Sequence, residues 1–287
     1  MIGVVILNYN TYQDTAKLVE ALQRQTIAPK LQIVVVDNAS PNGSYEHLKP
    51  LEKQFTGVYV LQTGENLGYA RGNNFGLKYL EENIRPEYVA ILNNDVILPD
   101  DCFEKLAAKY PDLEDACIIS PVQLNPQGKE IVMGRTATFG DDLLNLSFLC
   151  RRLRKYKAKL TDNTGRRAMR VDMIPGSFMF AALDRFKSIG YFYPGTFLYV
   201  EERFVAHRAK QAGFQNYLLL DEQYLHLHGK TIDTAAGLLT RYRYQYDGWV
   251  RFTRECRKYP SFKLWVLKPL IRLSLLEIRI AGTLRKR

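Results

Sequence analysis

Tyr88-Val-Ala-Ile-Leu92, followed by Asn93-Asn94-Asp95 and then Val96-Ile-Leu-Pro99, decides the fold. Five apolar residues in a row read as a short buried strand. The amides and the acid mark where that strand runs out into a turn. In open α/β sheets, ligands bind just beyond the carboxyl ends of parallel strands. A carboxylate there can hold a divalent metal, and the metal a diphosphate. The competing reading is an Asx-rich turn with no ligand, because Asn and Asp favour turns for local reasons.

Outward from this stretch, strand and helix alternate. Ile2–Asn8, Leu31–Asp37, Val58–Gln62 and Ala116–Pro121 are further apolar strands. Thr11-Tyr-Gln-Asp14 resembles a capping box opening a helix to about Gln25. Ser44 opens a helix to about Phe55, Gly68 one to about Glu82, and Pro99-Asp-Asp another. This alternation predicts an α/β fold with a mostly parallel central sheet and right-handed crossovers.

Composition narrows the partners. The chain of 287 residues is 46% hydrophobic, which supports a large core and excludes global disorder. Its net charge of +10 calls for an anionic partner, such as a nucleotide, a nucleic acid or an acidic membrane surface. Cys102, Cys117, Cys150 and Cys256 form no CxxC pair, which speaks against a zinc site and a disulfide framework and suits a reducing cytosol. Met1–Leu7 enters a strand without a basic leader or cleavage site, so no signal peptide is expected. No run of about 18 apolar residues is present to span a bilayer.

Each of the first four strands delivers polar groups at its carboxyl end: Asn8 and Asn10, then Asp37, then Asn66 to Asn74, then Asn93, Asn94 and Asp95. A nucleotide needs such a rim, with an acceptor for the base, amides for ribose and a cation for phosphate. Gly68 and Gly72 let the backbone approach a ligand at a helix N-terminus, which favours anions. Arg71 adds a fixed positive charge beside it, or is a solvated first-turn residue.

Four segments in this order and spacing resemble inverting family-2 glycosyltransferases, especially the rhamnosyltransferase-like branch of bacterial surface polysaccharide synthesis. They are Val5–Asn10, Val36–Ser40, Asn66–Asn74 and Leu92–Val96. The resemblance covers roughly residues 1–231 and implies a GT-A nucleotide-sugar-binding domain. It implies that Asp37 contacts the base, that Asn8, Asn10, Asn66, Gly68, Arg71, Asn74 and Asn94 line the nucleotide-sugar site, and that Asn93 and Asp95 form a variant of the acid-x-acid metal motif. It places Gly176 and Ser177 beside the donor sugar and acceptor. Glu202 becomes the general base, with Glu201 in reserve, because transfer with inversion needs a group to take the acceptor hydroxyl's proton. An acidic pair at a helix start is also what the dipole favours with no catalysis at all. Many relatives carry a further Asp where this chain has Phe204. His226, in a His-x-x-Gly-x-Thr element with Gly229 and Thr231, completes the metal site, and His228 is the alternative ligand. The implied cofactor is a divalent metal, Mn or Mg.

Residues 232–287 read as a C-terminal helical basic appendage. A helix from Gly237 to Cys256 sets Tyr242, Tyr246 and Trp249 among arginines, and a second follows Pro269. In the second, Lys268, Arg272, Arg279 and Lys286 form one stripe, with Leu270, Leu273, Ile280 and Leu284 opposite. Such a helix lies on an anionic membrane or packs against protein, including a homodimer partner. Arg151–Lys157 either shares that face or is a solvated loop. The resulting expectation is transfer of a sugar, with L-rhamnose from dTDP-rhamnose first, to a lipid-linked or polysaccharide acceptor at the inner face of the bacterial plasma membrane. The alternatives are galactosyl or N-acetylglucosaminyl transfer from a UDP-sugar, or a non-catalytic binder of nucleotide sugars or nucleic acid. The last leaves the strand-end cluster and Glu202 unexplained.

Overall fold

The computed structural model describes residues 1–133, 135, 136, 138–146, 160–227, 235–258 and 260–284. Cys150, the basic run 151–157, His228, Gly229, Thr231 and Lys286 lie outside them.

In chain order the elements are β1 Ile2–Asn8, α1 Tyr12–Leu22, β2 Leu31–Asp37, α2 Ser44–Leu48, α3 Leu51–Gln54, β3 Val58–Gln62 and α4 Gly68–Asn83. There follow β4 Tyr88–Asn93, β5 Val96–Ile97, α5 Cys102–Lys109, β6 Ala116–Leu124, β7 Glu130–Ile131 and α6 Phe139–Leu146. The chain then forms β8 Ala168–Val171, β9 Phe178–Ala182, α7 Leu183–Ser188, α8 Glu201–Gln211 and β10 Gln215–His226. Two long helices follow, α9 Ala235–Glu255 and α10 Ser261–Leu284.

The sheet runs β3-β2-β1-β4-β9-β6-β10-β5, with β7 on β6 and β8 on β10. The first four strands are parallel, as the alternation predicts. Beyond them β10 runs parallel to β6, but reversed strands enter as well. β9 enters antiparallel between β4 and β6, and β10 pairs antiparallel with β5 and β8. The sheet is mixed, and this inserted reversed strand is what carries Gly176 and Ser177 back to the carboxyl end of β4.

Side-chain alternation divides the core into two layers. Ile2, Val4 and Ile6 face Leu18, Leu22, Leu48 and Phe103 from α1, α2 and α5. Val5, Val34 and Val36 face Ala70, Leu77 and Leu80 of α4, in the layer that also holds Phe186 and Val205. A third cluster joins Val200 and Phe204 to Tyr246, Trp249 and Phe252 of α9 and Leu267 of α10. The two C-terminal helices are thus packed on α8.

Local details also differ from the sequence expectation. The helix expected from Ser44 to Phe55 divides at Lys49–Pro50, where proline supplies no N–H. The last helix starts at Ser261 and runs through Pro269 instead of starting after it. Thr11 makes no side-chain cap to α1; its hydroxyl accepts from Asn94 Nδ2 at 2.7 Å.

Candidate active site

Two strand ends are tied together below the rim. Asn8, fully buried, donates to Asp37 Oδ1 at 2.7 Å and accepts from the Thr15 hydroxyl at 2.8 Å. Asp37 also accepts from the Ser40 hydroxyl at 2.6 Å and the Ser40 N–H at 3.1 Å. Asn94 donates to Thr15 at 2.8 Å as well as to Thr11. These side chains brace the rim. The surface above them is presented by Asn10, held at φ +64 with its carboxamide oxygen buried and unpartnered, and by exposed Tyr9.

Between β3 and α4 the turn is held by a residue the sequence reading passed over. Asn38 accepts from Leu67 N–H at 2.9 Å and donates to Asn66 Oδ1 at 3.0 Å. Gly68 sits at φ +74, and a Cβ there would lie 2.2 Å from the carbonyl oxygen of Phe197. Only glycine fits this contact. Arg71 stands half-exposed on the first turn of α4, 3.6 Å from Glu65. Asn74 ties α4 to a distant loop, donating to Phe192 O at 2.8 Å and accepting from Phe192 N–H at 3.1 Å.

The three residues expected to hold a metal come together. His226 Nε2 lies 3.0 Å from Asp95 Oδ1 and 3.4 Å from Asn93 Nδ2, although 133 positions separate Asn93 from His226. Pairing of β10 with β5 sets Val96 opposite His226 and so delivers the imidazole. On its other side, Gln123 Nε2 donates to His226 Nδ1 at 3.1 Å. That bond makes Nδ1 the acceptor and puts the ring proton on Nε2, facing Asp95. Gln123 is itself fixed by Ser177 and Tyr224, whose hydroxyls each donate to its Oε1 at 3.2 Å.

A carboxylate, an imidazole and an amide oxygen make an acceptable donor set for Mn or Mg. Cis ligands of an octahedral ion at ~2.1 Å are roughly 3.0 Å apart, which matches the Asp95–His226 spacing. The residues present therefore fit such an ion. Among the described residues no group of three His, Cys, Asp or Glu side chains is placed to hold a metal. The neutral Asn93 is the reason this corner falls short of that count.

The acidic pair opens α8, where the helix dipole favours negative charge. Glu201 is 3% exposed, and its Oε1 is buried without a partner. Burial, followed by the charge of Glu202, pushes its carboxyl up to about 8. Burial also raises Glu202, opposed by its own N–H, the Gly176 N–H and Arg203. Both carboxyls are therefore held above the usual carboxylate range. The two residues before them are both left-handed without being glycine, Tyr199 at φ +71 and Val200 at φ +75. Each such residue costs about 1–3 kcal/mol and persists only where its surroundings over-determine it.

Gly176 and Ser177 join the two halves of the site. A Cβ on Gly176 would lie 3.0 Å from Glu202 Oε1, and its carbonyl accepts from the Tyr69 hydroxyl at 2.5 Å. Ser177 reaches the other way, to Gln123 and, at 2.7 Å, to the Tyr224 hydroxyl. Phe204, where many relatives carry an acid, turns away from this site. It stacks on Tyr193 at 4.1 Å and meets Phe252 edge-on at 5.3 Å.

Known proteins resemble this chain in sequence and in fold. Over 210 residues the chain is 26% identical to the low-salt glycan biosynthesis hexosyltransferase Agl10 of Haloferax volcanii, covering 73% of this chain and 62% of that protein. It therefore spans less than two thirds of that relative. The mannosyltransferase PcManGT of Pyrobaculum calidifontis, solved with GDP-Man and Mn2+, superposes with a TM-score of 0.61 at 17% identity, over 98% of this chain and 72% of that one. GalNAc-T7, solved with UDP, GalNAc and Mn2+, superposes at 0.60 with 17% identity, over 79% and 44%. These likenesses show a GT-A-like α/β fold. The sequence profile described as Glycosyl transferase family 2 matches residues 3–175, and the chain belongs to that family.

Proposed function

We propose that this protein is an inverting, metal-dependent hexosyltransferase acting on a nucleotide sugar. The observation that carries the reading is the Gly176-Ser177 pair, which meets Glu202 on one side and, through Gln123, reaches His226 of the Asp95–His226 corner on the other. In this reading the diphosphate of the donor lies at that corner and the acceptor hydroxyl at Glu202.

Glu202 takes the proton of the acceptor hydroxyl as that oxygen forms its bond to the anomeric carbon. The bond from that carbon to the diphosphate oxygen breaks with its electron pair, and the configuration inverts. Glu201, raised to about 8, keeps its proton near neutral pH, and burial raises Glu202 beside it. Asp95, His226 and the amide oxygen of Asn93 would hold the divalent ion, which neutralises charge on the leaving diphosphate when bound. His226 would offer Nε2 to that ion, with its ring proton then on Nδ1.

The motif resemblance supports dTDP-L-rhamnose as the first donor to test, with UDP-galactose and UDP-N-acetylglucosamine next. A lipid-linked glycan acceptor at the inner membrane face is supported by the outer surface of α10. Trp265, Leu273, Leu276 and Ile280 stand exposed there, beside exposed Lys268, Arg272 and Arg279. Leu273 and Ile280 thus flank the basic stripe instead of opposing it, while Leu270 packs inward against the third cluster. The side chain of Leu284 lies outside the described residues. No described helix is long and apolar enough to cross a membrane.

Thermal-shift screening of these donors and GDP-mannose, with and without Mn2+, tests the binding. Anomeric-proton NMR of the product tests inversion. Glu202→Gln should lower turnover by about 10²- to 10⁴-fold with little change in KM. Stabilisation by no nucleotide sugar, or full turnover in that variant, overturns the reading.

A further inference from the structure

The turn that delivers the acidic pair is gripped from two sides. On one side is α4: the Tyr69 N–H donates to Phe197 O at 2.7 Å, across the contact that requires Gly68. On the other is α9. A Cβ on Gly248 would lie 3.1 Å from Tyr199 O and 3.3 Å from Val200 Cβ and Cγ2. The backbone of α9 therefore lies directly on the two left-handed residues. Nearer the start of the helix, the Arg241 guanidinium sits 5.1 Å over the Tyr199 ring, and the Tyr244 ring is 4.7 Å from that of Phe197. Gly248, Tyr244 and Arg241 lie three to four residues apart, so they share one helical face.

Strain of this kind needs surroundings that hold it. Nothing in the turn supplies them, since neither Tyr199 nor Val200 has glycine's freedom. The surroundings are Phe197 O on α4 and the Gly248 face on α9. Without the second, Val200 can relax toward ordinary backbone, and the first turn of α8 swings with it.

We propose that α9 is a positioning element of the catalytic centre, in which Gly248, Tyr244 and Arg241 hold the Phe197–Val200 turn so that Glu202 meets Gly176. The assignment rests on Glu202 as general base. It makes α9 part of the catalytic machinery, whatever surface α10 meets.

The test uses the full chain. Gly248→Ala inserts a methyl where the turn must yield a few tenths of an ångström. Tyr244→Leu and Arg241→Met remove contacts without adding an atom, and serve if Gly248→Ala does not fold. Leu267→Ala is the control, because Leu267 belongs to the same apolar cluster but comes from α10. Two readouts are taken: hydrolysis of dTDP-L-rhamnose, UDP-galactose, UDP-N-acetylglucosamine and GDP-mannose, and pH titration of the Glu201 carboxyl by carbon-13 NMR. The expected result is a kcat loss of about 10- to 100-fold at near-constant KM in the turn variants. Their Glu201 midpoint should also fall from about 8 toward the ordinary value of 4.5. Leu267→Ala should lower Tm while keeping kcat and the midpoint. Unchanged kcat and midpoint in the turn variants, or equal losses in Leu267→Ala, overturns the proposal. If wild type hydrolyses none of the four sugars, the transferase reading fails, and the titration alone still decides whether α9 positions the pair.

Discussion

Gln123 holds His226 at Nδ1, on the side of the ring away from Asp95, and so bears on the proposed metal corner through the imidazole. Partners of this kind change metal affinity by about 10- to 100-fold when removed. Gln123→Leu should weaken Mn2+ binding by that factor, measured by electron paramagnetic resonance titration. Unchanged affinity would mean that His226 is not a ligand. The second residue-scale prediction concerns Glu201, whose carboxyl is raised from 4.5 to about 8. Between those values the folded chain keeps a proton that the unfolded chain has lost. Its contribution to stability is therefore full below pH 4.5 and lost as pH rises through 8. Glu201→Gln has no such proton to lose. Its Tm advantage over wild type should grow between pH 5 and pH 9 in scanning calorimetry, and a constant difference refutes the buried protonated carboxyl.

Among the elements, α8 presents two faces with opposite demands. Glu201 and Glu202 open toward Gly176, while Phe204 lies 1% exposed among the aromatic rings of α9. The absent acid at this position is thus a consequence of the helix packing. Phe204→Asp places an unpaired charge in that cluster and should cost about 4 kcal/mol or more. The midpoint of urea unfolding reads it, and a loss under about 1 kcal/mol would show that this face is open to water. The strand ends were legible from sequence because turn residues after apolar runs are local signals. β9 was not, because its reversal between β4 and β6 is set by pairing across the chain, which periodicity does not carry. Gln123 escaped for a related reason. The strand expected to stop at Pro121 continues to Leu124, which turns a presumed loop residue into a buried one. Gly248 gave no signal beyond being a glycine inside a helix, although that costs about 1 kcal/mol and implies a reason.

For the molecule as a whole, the outer stripe of α10 is the surface least like the rest. Trp265 is 75% exposed, and apolar residues continue along the helix beside three cations. Such a face fits the interface of an anionic bilayer. The chain should sediment with phosphatidylglycerol vesicles and not with phosphatidylcholine vesicles. Leu276→Asp should abolish that binding while leaving nucleotide-sugar hydrolysis intact. Binding to neither vesicle, with a concentration-dependent dimer in ultracentrifugation, would assign the stripe to a second copy instead.

The place of β10 in the sheet has a consequence in time. It pairs with β6, β8 and β5, so it closes the half of the sheet that holds the cation corner. A ribosome adding about 5–20 residues per second makes Asn93 roughly 7 to 27 seconds before His226, given their 133-position separation. Before β10 is made, β1 to β4 have all their parallel partners, whereas β6 shows an open edge to solvent. A nascent chain can therefore assemble the strand-end rim of β1 to β4 early, but it cannot bring His226 beside Asp95 until β10 has been made. The Asp95–His226 corner forms late, and the open edge of β6 is the stretch a chaperone would have to cover.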